Sequence, residues 1–115
     1  MPSDPLTIED CQGETADCRV LRLKGPLLIS NLFDFQAKIR SNTWPRLILD
    51  LTAVPYIDSA GIGALVGAYV NHQKGGRTLA LVGVSDRIHN SLKVTQVESF
   101  FRFFDSQAAA EASAA

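Results

Sequence analysis

The chain has 115 residues, a length that holds one domain, and its 46% hydrophobic and 20% charged content is that of a folded globular protein rather than a disordered one. With 11 basic and 12 acidic side chains the net charge is −1, which leaves no basic face for nucleic acid and favours protein partners met through shape and apolar contact. No apolar run approaches the roughly 20 residues of a membrane span, and the opening Met-Pro-Ser-Asp-Pro lacks the features of a signal peptide, so a cytoplasmic location is expected.

Residues 6–12 and Cys18–Lys24 read as two strands. In the second, Leu21 and Leu23 alternate with Arg22 and Lys24, the two-residue period of a half-buried strand. Turn residues from Gly13 to Asp17 join them into an opening hairpin, and Gly25-Pro26 ends it. Such a hairpin would set Cys11 opposite Cys18. Two reduced thiols are expected, because two cysteines are too few for a secreted disulfide framework and no Cys-x-x-Cys pair marks a metal site. From Ser30 the period becomes helical: Ser30 or Asn31 is placed to cap the start, and Leu32, Phe35 and Ile39 repeat on one face through Arg40. Trp44-Pro45 closes this helix, since the residue before a proline is pushed out of the helical region.

Residues 46–51 form a nearly continuous apolar run, the pattern of a central strand covered on both faces. Pro55 and Asp58-Ser59 mark the loop after it. From Ser59 to Gly75 the helical signal is clearest, with Ile62, Leu65, Val66, Tyr69 and Val70 as an apolar stripe and Gly75-Gly76 as the stop. Thr78–Val82 is a further buried strand, Ser85 caps a third helix to about Val94 with Ile88 and Leu92 inward, and residues 100–104 make a last short strand. The Ala-rich tail from Ser106 is helix-prone at first and expected to fray. The order is thus ββαβαβαβα. Strands separated by helices require parallel crossovers and the hairpin adds an antiparallel pair, so the expected fold is an α/β sandwich: a mixed β-sheet with helices packed on it, one domain over residues 1–115 with a core of about 6–110.

Functional chemistry concentrates in Asp58-Ser59-Ala60-Gly61, where a buried strand and its loop deliver the chain to a helix start. Asp58 or Ser59 can cap the unpaired N–H groups there. A phosphate on an exposed hydroxyl at that place would be met by the helix dipole and backbone donors. The fold could therefore accept the modification, whereas a partner with an apolar or acidic face resting on it could not. A helix cap with no other duty is the competing account. Gly61 and Gly63 each cost about 1 kcal/mol relative to alanine in a helix, so something must approach closely, either the sheet or a partner.

Catalysis is not expected. Ser59 lacks the Gly-x-Ser-x-Gly elbow of a strained nucleophile. His72 follows 13 residues later on the same helix, about 20 Å away at a rise of about 1.5 Å per residue. His89 sits on another helix and reads as a surface side chain. No phosphate-binding Gly-x-x-x-x-Gly-Lys loop occurs, and no cofactor or metal is expected.

The stretch from Leu47 through Asp50-Leu51, Tyr56-Ile57-Asp58-Ser59-Ala60-Gly61-Ile62-Gly63 to Leu65 resembles the signature of the STAS domain family, and within it the bacterial anti-sigma factor antagonists. Gly75-Gly76-Arg77-Thr78-Leu79, Val84-Ser85 before a helix and the Phe-rich segment near the end are similar to the family as well. The resemblance implies that Ser59 is phosphorylated by an anti-sigma factor that is itself an ATP-dependent serine kinase. It implies further that a PP2C-type phosphatase removes the group, and that Asp58, Ser59, Ala60, Gly61, Ile62 and Gly63 form the partner-binding segment. ATP and Mg²⁺ then belong to the kinase. In one place the chain departs from the pattern: many antagonists carry Gly-Glu-Leu-Asp after the second strand, and here Gly25-Pro26-Leu27-Leu28 lacks that acid. STAS domains also serve in lipid-transport machinery, in stress-signalling scaffolds and as tails of anion transporters, the last set aside here for want of a transporter segment. Self-association through apolar residues around Ile62, a homodimer, is the other use the surface would have.

Overall fold

The computed structural model describes residues 5–113. Its elements are β1 (Thr7–Gln12), β2 (Cys18–Lys24), α1 (Phe33–Ser41), β3 (Arg46–Ala53), α2 (Ser59–Lys74), β4 (Thr78–Val82), α3 (Asp86–Val94), β5 (Arg102–Phe104) and α4 (Gln107–Ala112). The five strands lie side by side in the order in which they occur in the chain. β1 and β2 are antiparallel, with Ile8 opposite Leu23 and Cys11 opposite Val20. Every later neighbour is parallel. This is the expected mixed sheet and the expected order of elements.

Sequential order decides where the helices go. Each crossover steps one strand in the same direction, and right-handed crossovers stepping one way put all their helices on one face. Leu21 and Leu23, Leu47, Leu49 and Leu51, and Leu79 and Leu81 point to that face, where they meet Phe35 and Ile39 of α1, Leu65 of α2 and Ile88 and Leu92 of α3. The intervening positions Cys18, Val20, Ile48 and Val82 point the other way and pack against Ala110 of α4. β3 is thus covered on both faces, as its apolar run required.

Five expectations need correction. Neither Ser30 nor Asn31 caps α1, whose cap residue is Leu32 with no side-chain bond. The Asn31 side chain instead accepts from the Leu28 N–H at 2.9 Å and donates to the Pro26 carbonyl at 2.9 Å, closing the turn ahead of the helix. Second, Cys11 and Cys18 are not partners across the hairpin, because the register pairs Cys11 with Val20; both thiols are free.

The third correction concerns α2. Its buried residues are Gly61, Ala64, Leu65, Ala68 and His72, while Ile62, Val66 and Tyr69 pack at the flanks and Val70 is 40% exposed. Small side chains let the helix axis approach its neighbours, so they take the inward face that the larger apolar residues were expected to hold. Fourth, residues 100–104 are not one strand: a single 3₁₀ turn, Glu98–Phe100, precedes β5. There Tyr69 stacks on Phe100 at 5.5 Å and meets Phe101 edge-on at 6.0 Å.

Last, the tail does not fray through residue 113. Ser106 caps α4, and Glu111 is buried, accepting from Thr15 Oγ1 at 2.6 Å, from the N–H groups of Thr15 at 2.7 Å and Glu14 at 3.0 Å, and from Gln107 at 2.7 Å. Arg46 donates to the carbonyls of Ala110, Glu111 and Ser113 at 2.8–3.0 Å, satisfying acceptors that the end of a helix leaves open. Residues 114–115 lie outside the described residues.

Candidate functional site

Three loops meet at the carboxyl ends of the parallel strands β2, β3 and β4. The loop after β2 and the loop after β3 are stitched together. Leu27 forms an isolated parallel bridge with Ile57, its N–H donates to the Tyr56 carbonyl at 3.3 Å, and its own carbonyl accepts from the Asp58 N–H at 3.3 Å.

Asp58 completes the joint. It is the N-cap of α2, and Oδ1 accepts from the Gly61 N–H at 2.8 Å. Oδ2 accepts from the Ile29 N–H at 3.0 Å, across the gap between the loops. Both carboxylate oxygens are therefore committed to backbone donors. The cap is Asp58 rather than Ser59, and Ser59 stands exposed as the first residue of the helix.

The small residues divide into two kinds. A Cβ built on Gly61 collides with the Leu27 carbonyl oxygen, so this glycine is what lets the loop after β2 lie against the helix start. A Cβ on Gly63 or Gly67 meets nothing within 4 Å. Of the six expected contact residues, Ser59 and Gly63 are exposed, Asp58, Ala60 and Ile62 are half-buried, and Gly61 is buried.

Two apolar side chains at this end escaped sequence reasoning. Ile29 is 64% exposed and Phe33 is 71% exposed. Ile29 is tied to Asp58 through its N–H, and Phe33 opens α1. One signal was available: Phe33 is an apolar residue lying off the stripe of Leu32, Phe35 and Ile39. On the far side of the loop, the Arg87 guanidinium lies 5.1 Å over the Tyr56 ring.

Neither histidine serves Ser59. His72 is 1% exposed, and its Nδ1 lies 3.1 Å from the Ala68 carbonyl while Nε2 has no partner. Burial pushes its pKa below the usual imidazole range; the bond to Ala68 opposes this and nearby Arg77 adds to it. The His89 ring stacks on Phe103 at 4.5 Å and its Nε2 lies 3.0 Å from Glu98 Oε2. Among the described residues no group of three or more His, Cys, Asp or Glu side chains could hold a metal ion.

The sequence pattern of the STAS domain matches residues 13–110. Two curated relatives, the anti-sigma-B factor antagonists of Listeria monocytogenes and Listeria innocua, are each 41% identical over 49 residues, which is 43% of this chain and 43% of each relative. The match therefore spans less than half the length of those relatives. Among solved structures, that of a candidate anti-sigma factor antagonist from Thermotoga maritima has a TM-score of 0.82 at 20% identity, covering 90% of this chain and 91% of that one. SpoIIAA, an anti-sigma factor antagonist in its unphosphorylated form, has a TM-score of 0.72 at 17% identity over 90% of this chain and 92% of its own. The phosphorylated form of the Bacillus protein gives 0.68 at 17%, over 92% and 96%. At these identities the structural likeness establishes the fold.

Proposed function

This chain belongs to the STAS domain family, and we propose that it is an anti-sigma factor antagonist, one STAS domain over residues 1–115 that binds an anti-sigma factor and so frees a sigma factor. The observation that carries the reading is the placement of Ser59: exposed at the start of α2, next to Asp58, which holds the Ile29 N–H, and at the same end of the fold as the projecting Ile29 and Phe33. The apolar pair supplies contact area and the hydroxyl supplies the control. A serine kinase, the anti-sigma factor itself, would bring ATP. The Ser59 oxygen attacks the γ-phosphorus, the bond to the leaving ADP breaks, and the hydroxyl proton passes to the kinase. The product carries close to two negative charges at neutral pH. On a face with exposed Ile29 and Phe33, that charge would have to be desolvated against whatever apolar surface the partner brings, so the complex releases. A PP2C-type phosphatase restores the hydroxyl.

On this reading the chain is a substrate of its partners and not an enzyme. The reading puts its action in the cytoplasm beside the transcription machinery. No helix among the described residues is long and apolar enough to cross a membrane. The second reading, a subunit of a lipid-transport or stress-signalling assembly without a working switch, draws on Leu28, which stands where many antagonists carry an acid.

The test is binding of the cognate anti-sigma factor, measured by calorimetry. Ser59→Ala should bind as wild type does and take up no phosphate from the kinase. Ser59→Asp should weaken binding about tenfold or more, about 1.4 kcal/mol. Equal binding by wild type and Ser59→Asp overturns the switch.

A further inference from the structure

We propose that Arg87 is the counter-cation of a phosphate on Ser59, the residue that receives the new charge and holds it against the loop. The inference rests on the reading of Ser59 as a phosphate acceptor. Its basis is a charge inventory. The charged side chains on the segments that meet at this end are Asp34 in the first turn of α1, Asp58 before α2, and Asp86 and Arg87 at the start of α3. Lys24, at the end of β2, follows the alternation of Cys18, Val20 and Arg22 and so points to the α4 face. Lys38 lies in the last turn of α1, Lys74 in that of α2 and Lys93 in that of α3, at the opposite ends of their helices. Arg40, also in the last turn of α1, lines the groove between α1 and α2 beside Gly63 and Gly67 and is the rival cation.

On the three loops and the helix starts they lead to, a phosphate on Ser59 thus meets three carboxylates and one guanidinium, that of Arg87; Asp105, which follows β5 at the same end of the sheet, adds a further carboxylate and no cation. That guanidinium is already at the right loop, lying over Tyr56, three residues before Ser59. The ion pairs among the described residues leave it unengaged. Asp58 cannot turn aside to relieve the repulsion, because both its oxygens hold backbone N–H groups. The stacking on Tyr56 keeps the guanidinium near the surface, from which it can exchange a ring face for a charge-assisted bond.

The experiment installs phosphoserine at position 59 during synthesis, by genetic encoding, so that no kinase is needed. The pH titration of its ³¹P resonance then reads the second ionisation of the phosphate, near 6 when exposed. A neighbouring cation favours the dianion and lowers this value. The chain with Arg87 should titrate about half a unit or more below Arg87→Gln, with Arg87→Lys nearer the first. Arg40→Gln, which removes the same charge from the groove beside Gly63, should titrate close to the parent, because the loop cation is the one that holds the phosphate. Coincident curves for Arg87 and Arg87→Gln overturn the inference, as does an equal shift from Arg40→Gln. Glutamine is a good helix former, so the exposed site keeps its fold. A kinase that fails to modify Ser59 would sink the reading of the switch and leave this result standing.

Discussion

Gly61 and Gly63 stand two residues apart on α2 and answer to opposite constraints. Gly61 is pressed by the Leu27 carbonyl, whereas the space over Gly63 is open. Gly61→Ala should therefore destabilise the fold by about 1–3 kcal/mol, as overpacking against backbone does. Gly63→Ala should stabilise it by about 0.5–1 kcal/mol through helix propensity alone. Urea-unfolding midpoints check both, and two shifts of the same sign would refute the distinction. Composition showed two costly glycines and called for a close approach; it could not show that one of them is answered by a carbonyl from a loop far back in the chain. His72 makes the other residue-scale prediction. Its folded pKa lies below that of the unfolded chain, near 6.5, so the folded state resists protonation. Its favourable contribution is whole above that value and declines as pH falls below it. His72→Leu should flatten the stability profile below about pH 6.5, read from denaturation midpoints at each pH.

Among the elements, α4 is the one whose importance the sequence concealed. Gln-Ala-Ala-Ala-Glu-Ala is a weak signal, and six residues cannot form a stable helix unaided. What holds it is non-local: Arg46 at the start of β3 binds its last carbonyls, and Glu111 binds the turn between β1 and β2. Burial alone would raise the Glu111 pKa, but the bonds from Thr15, Gln107 and the Glu14 N–H outweigh it and bring the carboxyl down to about 2. A depressed carboxyl stabilises the fold above its unfolded value and loses that contribution as pH falls from about 4.5 through 2. Glu111→Ala should lower stability at neutral pH by about 2–3 kcal/mol and remove part of the acid transition in that window, which opens at a lower pH than that of His72. Thermal unfolding followed by circular dichroism at pH 7 and pH 3 is the measurement. By contrast α2, α3 and the buried strands were legible, since each carries a cap or a run of apolar residues long enough to override its neighbours.

At the scale of the whole molecule, the order of elements and the position of Ser59 at a helix start followed from hydrophobic period and turn chemistry. The meeting of loops did not. That Ile29 and Asp58 share a hydrogen bond, and that Arg87 lies on Tyr56, depends on which strand ends are neighbours. Local propensity holds no record of that. Only the strand order, β1 to β5 in sequence, brings them together.

The same order has a consequence for how the protein is made. Each strand lays down beside the one before it, so a chain leaving the ribosome can add to its sheet from one edge in the order of translation. One face gains its helices as it grows, because α1, α2 and α3 are interleaved with the strands. The other face waits: Val20, Ile48 and Val82 have no cover until residues 107–112 have emerged. The nascent sheet is therefore finished while half of it is still bare, and α4, made after all five strands, is the helix that makes it safe from its neighbours on the polysome.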